Sequence, residues 1–320
     1  MNRRNLLKLT ALSGIFFSVG WKMKESETQK KDALIIGGGP AGLSCALTLA
    51  RGGRSVFVVD NNQPRNAPAL HMQNFPSRDG TPPAEFKKQI LKDLEKYEHV
   101  QILNQEVVDL KEFKLTTSKG IIEFKKLVLA YGVLDLLPEI PGLKNLWGKS
   151  VFHCPYCHGY EYRNTPMALM GNHEYLHHMT PLVYGLSQDI IVFSHGEKLP
   201  DELKEKLLHK KIKFYEEKVV SFHTQGENLQ EVELEGGKKI SRNYLFMRPM
   251  QKPKSPLGEK LGCELTPQNL YVVDDFGRTT VKNVYAAGDI AVLRQSVLNA
   301  SASGSNVGAS VNFDLQSENF

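Results

Sequence analysis

Residues 33–42 read ALIIGGGPAG, and this stretch decides the fold of the chain. Its first four residues have the apolar pattern of a buried parallel strand, and a helical pattern follows over Leu43–Ala50. The glycines between them form the motif G-x-G-x-x-G. In such a motif Gly37 permits the tight turn, Gly39 lets a pyrophosphate approach the backbone, and Gly42 lets the helix pack closely on the strand.

An acidic residue follows this motif at the distance that suits a ribose. Ser55–Val59 has a second apolar strand pattern, and Asp60 ends it, 18 residues after Gly42. A carboxylate at that position can accept a hydrogen bond from a ribose hydroxyl, and the helix N-terminus at Pro40 and Ala41 favours the pyrophosphate. The sequence therefore predicts a nucleotide cofactor here rather than a glycine-rich turn without a ligand.

A second series of strand and helix patterns occurs later in the chain. Strand patterns cover Ala168–Met170 and Ile190–Phe193, and helical patterns cover Glu174–Leu186 and Asp201–Leu208. Two successive βαβ series predict an α/β fold with two Rossmann-like, dinucleotide-binding domains. Pro249–Pro256 has the composition of a hinge between them.

Composition and charge exclude several classes of protein. The chain has 320 residues, of which 41% are hydrophobic and 23% charged, so it is neither collagen-like nor disordered, and four cysteines do not make a disulfide scaffold. Residues 1–31 carry seven of the 40 Lys and Arg and two of the 35 Asp and Glu, so residues 32–320 carry 33 of each. This neutral body gives no reason to expect a nucleic-acid partner.

The N-terminus has the pattern of an export signal. Arg3 and Arg4 precede an apolar run over Leu9–Trp21, which is too short to span a bilayer comfortably. The order Arg-Arg-x-Leu-Leu-Lys resembles the twin-arginine signal. A Sec-type signal or an uncleaved anchor remain alternatives. We expect residues 1–31 to be an export signal and tether, and the protein to be periplasmic with no stable membrane span after processing.

The four cysteines fall into two groups. Cys45 and Cys263 have the surroundings of buried, unreactive thiols. Cys154 and Cys157 lie in the segment HCPYCHGYE, residues 153–161. Two intervening residues allow a readily exchanged disulfide, and the flanking imidazoles can hold one sulfur as a thiolate.

Three other uses of this motif remain open from the residues alone. Cys154 to His158 also spells C-x-x-C-H, a haem attachment site. A zinc site would need a second CxxC, which the chain lacks. A static structural disulfide is the third alternative.

Two later segments resemble the remaining fingerprints of the flavoproteins with two dinucleotide domains. Ala130-Tyr131-Gly132 follows one strand pattern, and Val284–Asp289 follows another. From Asp32 onward the chain is most similar to the thioredoxin reductase-like branch. The resemblance implies two three-layer ββα domains, the second inserted in the first: residues 32–140 and 250–320 would bind FAD, and residues 141–249 would form the inserted NADPH-type domain.

The same resemblance implies roles for individual residues around FAD. Asp289 would hold the ribityl chain, and Arg294 and Gln295 would lie beside the isoalloxazine. Gly132 and Gly288 belong to the two later fingerprints. The family resemblance also implies a homodimer.

For the CxxC segment, the resemblance implies that Cys157 faces the flavin as a thiolate and that Cys154 exchanges with the substrate. Thioredoxin reductases carry Asp directly after the second Cys, whereas this sequence has His158, with Glu161 nearby. The His-Gly-Tyr-Glu continuation resembles the flavin dithiol oxidases, in which His is the base. The substrate would be a small dithiol or a protein disulfide.

The chain departs from the family pattern where NADPH should bind. The turn at Gly171–Leu176 keeps only the first glycine of the motif, with His173 and Leu176 where Gly and a small residue are needed. Residues 194–198 offer no arginine cluster for a 2′-phosphate. We therefore expect NADPH to bind weakly or not at all.

The same turn contains His173-Glu174-x-x-His177, the zinc-protease motif, but no third ligand is evident and we expect no metal.

Taken together, these patterns favour an FAD-dependent thiol-disulfide oxidoreductase that works as a dithiol oxidase, with oxygen or another acceptor reoxidising the flavin. The alternatives are an NAD(P)H-dependent disulfide reductase and a flavin-binding scaffold without activity.

Overall fold

The structure is a computed structural model that describes residues 28–320 except 108–109, 118–119 and 319. The export signal and most of the expected tether lie outside the described residues. The tether prediction is wrong for its last three residues, because Gln29 to Lys31 begin the first strand and pair with Ile122 to Phe124.

The strands, in chain order, are β1 (Gln29–Ile36), β2 (Val56–Asp60), β3 (Val100–Asn104), β4 (Lys114–Thr117), β5 (Gly120–Leu129), β6 (Val133–Leu136), β7 (Val151–Phe152), β8 (Met167–Met170), β9 (Ile190–Phe193), β10 (Lys213–Tyr215), β11 (Val219–Gln225), β12 (Asn228–Leu234), β13 (Lys239–Ser241), β14 (Tyr244–Met247), β15 (Met250–Pro253) and β16 (Val284–Ala286). The α-helices are α1 (Pro40–Arg51), α2 (Pro83–Leu94), α3 (Leu143–Leu146), α4 (Pro155–His158), α5 (His173–Tyr184), α6 (Asp201–His209), α7 (Leu257–Lys260) and α8 (Val297–Ser317), and a 3-10 helix covers Gly288–Ile290.

The first sheet has the strand order β16-β5-β1-β2-β3, all parallel, with β4 antiparallel to β5. Successive side chains of a strand point to opposite faces of the sheet. Ile35 therefore packs with helices α1 and α8, whereas Leu34 packs with β4 and with Tyr271 on the other face. Burial on both faces explains why the second half of β1, Ala33–Ile36, is continuously apolar rather than alternating.

The second sheet has the order β10-β9-β8-β14-β7, again all parallel. Helices α5 and α6 bury Leu176 and Leu203 against one face, and the antiparallel strands β11-β12-β13 bury Phe222 and Val232 against the other. A helix layer, a parallel sheet and a small antiparallel sheet make three layers. The predicted fold of two Rossmann-like ββα domains is therefore confirmed.

Strands β6 and β15 form an antiparallel ribbon that joins the two sheets, with Val133 opposite Pro253 and Leu136 opposite Met250. Half of the hinge predicted at Pro249–Pro256 is thus a paired strand, in which β6 and β15 satisfy each other's backbone groups. The expected domain boundaries, after residue 140 and before residue 250, lie beside this ribbon. None of the described helices combines the length and hydropathy that a bilayer crossing requires.

Candidate active site

A cavity of about 470 Å³ lies where the first sheet meets the beginning of the second. Its wall includes the turn after β1, the end of β2, and residues from the loop before α4. Most of the predicted site residues line it: Gly37, Gly39, Pro40, Ala41, Asp60, Gly132, Cys157, His158, Gly288, Asp289 and Gln295. Gly42, Cys154, Glu161 and Arg294 are not part of the wall.

The glycines of the first turn have different tasks. Gly37 has a φ of +112°, and a Cβ there would lie 2.3 Å from the Ala130 carbonyl oxygen. A Cβ on Gly42 would lie 1.8 Å from the Gly37 carbonyl oxygen, which agrees with its predicted packing role. Gly39, in contrast, would meet no protein atom within 4 Å. Its missing side chain keeps the cavity wall open.

The N-terminus of α1 is open towards the same cavity. Gly39 is the N-cap residue and has no side chain to cap with, and Pro40 has no N–H. Among the described residues, no side chain accepts a hydrogen bond from the first turn of α1. Free amides and the helix dipole at a glycine-lined wall suit a pyrophosphate, so the residues present fit the FAD that the sequence predicts.

Asp60 stands at the end of β2 on the cavity wall, as predicted. Its Oδ2 pairs with Nζ of Lys87 at 2.6 Å, and Lys87 also donates to Oδ1 of Asn62 at 2.7 Å. The described residues give Oδ1 of Asp60 no partner, which leaves it able to accept from a ribose hydroxyl. Sequence reasoning missed Lys87, which lies on α2 and carries no motif.

Arg65 is the second residue that sequence reasoning missed. It donates to both carboxylate oxygens of Asp135 at 2.7 and 2.8 Å, and from Nη1 to Asp289 at 2.9 Å and to Gln295 at 2.6 Å. Gln251 joins the cluster by donating to Asp135 at 2.8 Å. Arg65, Asp135 and Gln251 come from separate segments that carry no motif, so no local spacing signal could have joined them to the predicted Asp289 and Gln295.

The charges of this cluster are unequal, since one guanidinium faces two carboxylates. Burial raises the pKa of Asp289, and the attraction of Arg65 opposes that rise. Arg65 uses Oδ2 of Asp289, so the other oxygen can accept from a ligand hydroxyl. This arrangement suits the ribityl contact that the resemblance implies for Asp289.

Cys154 and Cys157 are joined by a disulfide, with their Cα atoms 5.3 Å apart. Both sulfurs are therefore used, which leaves neither for a haem thioether or a zinc ion in this state. Cys157 lies on the cavity wall, whereas Cys154 precedes α4 and lies outside the wall. Cys45 and Cys263 are free and buried, and burial raises the pKa of each thiol, as expected for unreactive cysteines.

His158 ends α4 beside Cys157. Its ring stacks on Phe152 with centroids 4.5 Å apart and planes 7° apart. Both ring nitrogens are buried, and neither has a hydrogen-bond partner among the described residues. Burial lowers the pKa of His158 to about 4, so the ring is neutral near pH 7.

Two of the four predicted residues outside the cavity wall, Glu161 and Arg294, are exposed to solvent. Glu161 is exposed, because α4 ends at His158 and the following turn carries the chain to the surface. Arg294 is also exposed, and only its neighbour Gln295 reaches the wall. The expectations of a catalytic Glu161 and of a cofactor contact from Arg294 are therefore not met by this geometry.

The two histidines at the cavity predict acid sensitivity. Burial lowers the pKa of His153 to about 3, as it lowers the pKa of His158, from an ordinary value of 6.5. Below pH 6.5 these histidines bind protons in the unfolded chain but not in the folded chain. The free energy of unfolding therefore falls as the pH falls from 6.5 towards 4. Above pH 6.5 the two histidines do not change the free energy of unfolding. We expect each histidine to cost on the order of 1 to 3 kcal/mol of unfolding free energy across that window.

Urea unfolding above pH 6.5 and near pH 4 measures this loss. His158→Asn, which cannot titrate, should lose less stability than the wild type over the same interval. Equal losses in the two proteins would show that His158 is not a buried neutral base.

Comparisons with known proteins agree with this geometry. The family model of pyridine nucleotide-disulphide oxidoreductases matches residues 31–304. Thioredoxin reductase tcpT of Claviceps purpurea is 33% identical over 290 residues, which cover 85% of this chain and 90% of that protein. Thioredoxin reductase sirT of Leptosphaeria maculans is 33% identical over 306 residues, covering 88% and 93%.

A solved structure of a related oxidoreductase has the same fold. The oxidoreductase from Agrobacterium tumefaciens superposes with a TM-score of 0.83 at 30% identity, covering 90% of this chain and 99% of that one. The family match implies a flavin cofactor, for which the wall between Gly37 and Asp289 has the required groups. With its redox disulfide beside that wall, the chain belongs to the pyridine nucleotide-disulphide oxidoreductases and is a thioredoxin reductase-like thiol-disulfide oxidoreductase.

Proposed function

We propose that this protein is an FAD-dependent dithiol oxidase. The observation that carries the proposal is that Cys157 and His158 line the same cavity as the open dinucleotide turn at Gly39. Substrate thiols in solution can reduce a disulfide in that position, and the disulfide can then pass the electrons to a flavin bound in the cavity.

The thiol steps use the two cysteines in a fixed order. A substrate thiolate attacks the sulfur of Cys154, which lies outside the cavity wall; the Cys154–Cys157 bond breaks, a mixed disulfide forms, and Cys157 leaves as a thiolate. The second substrate thiol then attacks the mixed disulfide and releases the substrate as a disulfide, with Cys154 as a thiol. The substrate loses two electrons and two protons, and the cysteine pair holds the electrons.

His158 is the base for this exchange. Its neutral ring, held on Phe152 and unpartnered at both nitrogens, can take the proton that a substrate thiol must lose. The first turn and Asp289 would hold FAD, which would supply the electron acceptor that lets the Cys154–Cys157 bond re-form, with oxygen or another acceptor as the final oxidant.

The second dinucleotide turn supports thiols rather than NADPH as the electron source. A Cβ on Gly171 would lie 2.6 Å from the ring of Tyr175, so that side chain fills the space above the turn. Leu176 is fully buried where the motif needs a small residue. Export by a twin-arginine signal, which we also propose, would place the protein where NADPH is scarce.

The runner-up function is an NAD(P)H-dependent disulfide reductase. The names of the two fungal relatives, both thioredoxin reductases, favour it. We retain the homodimer and the substrate class, a small dithiol or a protein disulfide, as part of the proposal. Size-exclusion chromatography with light scattering tests the dimer.

Anaerobic titration of the purified flavoprotein separates the two functions. We expect dithiothreitol alone to bleach the oxidised flavin band completely, because the disulfide relays its electrons, and micromolar NADPH to leave the band unchanged. On admission of air the band should return. Rapid bleaching by micromolar NADPH would overturn the oxidase and support the reductase.

A further inference from the structure

The chain contains two βα turns that occupy equivalent places in their sheets. One lies between β1 and α1, and the other lies between β8 and α5, at Gly171 and Asn172. The N-terminus of α1 is open, as described above. The N-terminus of α5 is occupied, because two side chains accept hydrogen bonds from its first amides.

The first of these side chains is Asn172, whose Oδ1 accepts from the backbone N–H of Tyr175 at 2.9 Å. The second comes from a different element: Oε2 of Glu197 accepts from the backbone N–H of His173 at 3.2 Å. The other oxygen of Glu197, Oε1, lies 3.0 Å from Nδ1 of His173. A carboxylate therefore sits at the amides where a dinucleotide turn would hold a phosphate.

The loop after β9 is shaped to bring Glu197 there. His195 and Gly196 both have positive φ values, +51° and +93°, so the chain reverses directly after the strand. The turn closes through the Glu197 N–H, which donates to the Ser194 carbonyl at 3.1 Å. Nδ1 of His195 accepts from the backbone N–H of Val219 at 3.1 Å, which anchors the loop to β11.

We infer that Glu197 acts as an internal substitute for the dinucleotide phosphate and excludes NAD(P)H from the second domain. Its carboxylate uses the His173 amide and the positive end of the α5 dipole, and its charge repels a diphosphate that approaches the same amides. This inference rests on the proposed function, in which NAD(P)H is not the electron donor, and it adds a repelling charge to the steric obstacles that Tyr175 and Leu176 present.

Removing the carboxylate should therefore create affinity for nucleotide. In the full-length flavoprotein, we expect Glu197→Ala to bind NADPH at least about tenfold more tightly than the wild type by isothermal titration calorimetry. Glu174→Ala is the matched control: it removes an equal charge from the first turn of the same helix, where the side chain is exposed and caps none of the amides that the structure describes. It should change NADPH affinity less than about threefold.

A double-mutant cycle sharpens the test. His173→Gly alone restores the second glycine of the motif but leaves the carboxylate on the amide, so it should gain little. Glu197→Ala with His173→Gly should gain more than the two single changes together. Glu197→Gln keeps the hydrogen-bond acceptor without the charge and should give an intermediate gain, even if the alanine variant folds poorly.

The failures of the inference and of the proposed function are distinguishable. If dithiothreitol reduces the wild-type flavin and NADPH does not, but Glu197→Ala and Glu197→Gln bind NADPH no more tightly than Glu174→Ala, only the role of Glu197 is wrong. If the wild type already binds micromolar NADPH, both are wrong.

Discussion

Cys157→Ser should abolish the reduction of the flavin by dithiols, with a loss of at least about 1,000-fold in rate. The serine cannot form the disulfide, and Cys157 is the cysteine on the cavity wall, so no sulfur remains there to carry electrons inward. Anaerobic stopped-flow absorbance of the flavin after mixing with dithiothreitol measures the loss.

Cys154→Ser is the matched variant, since it also removes the disulfide but leaves the Cys157 thiol in the cavity. It should lose turnover to the same extent, yet it should perturb the flavin absorption band when the Cys157 thiolate forms, whereas Cys157→Ser should not. A perturbed band in Cys157→Ser, and none in Cys154→Ser, would reverse the assigned roles. Unchanged turnover in either variant would support a flavin-binding scaffold or another redox route.

Two glycine substitutions in the first turn should have large effects on different properties, one on FAD affinity and the other on protein stability. Gly39→Ala should leave the fold intact, because Gly39 has an ordinary φ of −80° and its Cβ would meet no protein atom within 4 Å. The methyl group would nevertheless project where a pyrophosphate must approach. We expect FAD to bind about 10- to 100-fold more weakly, the equivalent of one charge-assisted hydrogen bond.

Gly37→Ala should instead destabilise the protein itself. Gly37 has a φ of +112°, and the added Cβ would lie 2.3 Å from the Ala130 carbonyl oxygen. We expect a loss of at least about 3 kcal/mol of unfolding free energy, measured by urea unfolding of the FAD-free chain. If Gly39→Ala lost stability and Gly37→Ala kept it, the division between ligand approach and backbone packing in this turn would be wrong.

Much of the fold could be predicted because its signals are local. The apolar run Ala33–Ile36, the glycines that follow and the helical pattern after them are properties of one short segment, and β1 and α1 form there. Where a local pattern was ambiguous, the structure differs. The composition of Pro249–Pro256 predicts a hinge, yet Met250–Pro253 form β15.

The site divides in the same way. The motif residues Gly37, Gly39 and Asp60 lie on the cavity wall as their spacing indicates, because a tight turn and a strand end have fixed local geometry. Glu161 lies only three residues beyond His158, yet the end of α4 turns it to the surface. Proximity in sequence does not determine the direction of a side chain in a loop.

By itself, then, the sequence determined the two βαβ series, the exchangeable CxxC and the departure of the second turn from the nucleotide motif. Tertiary structure alone decided that Phe152 holds His158, and it places on the cavity wall the cysteine, Cys157, that the family resemblance implies. It also decided that Arg65 pairs with Asp135 and Asp289 across 70 and 224 residues of chain, and that Glu197 caps α5. The physical reason is that glycine turns and apolar periodicity act within a few residues, whereas a buried charge is satisfied by whatever partner the packing of distant segments brings to it.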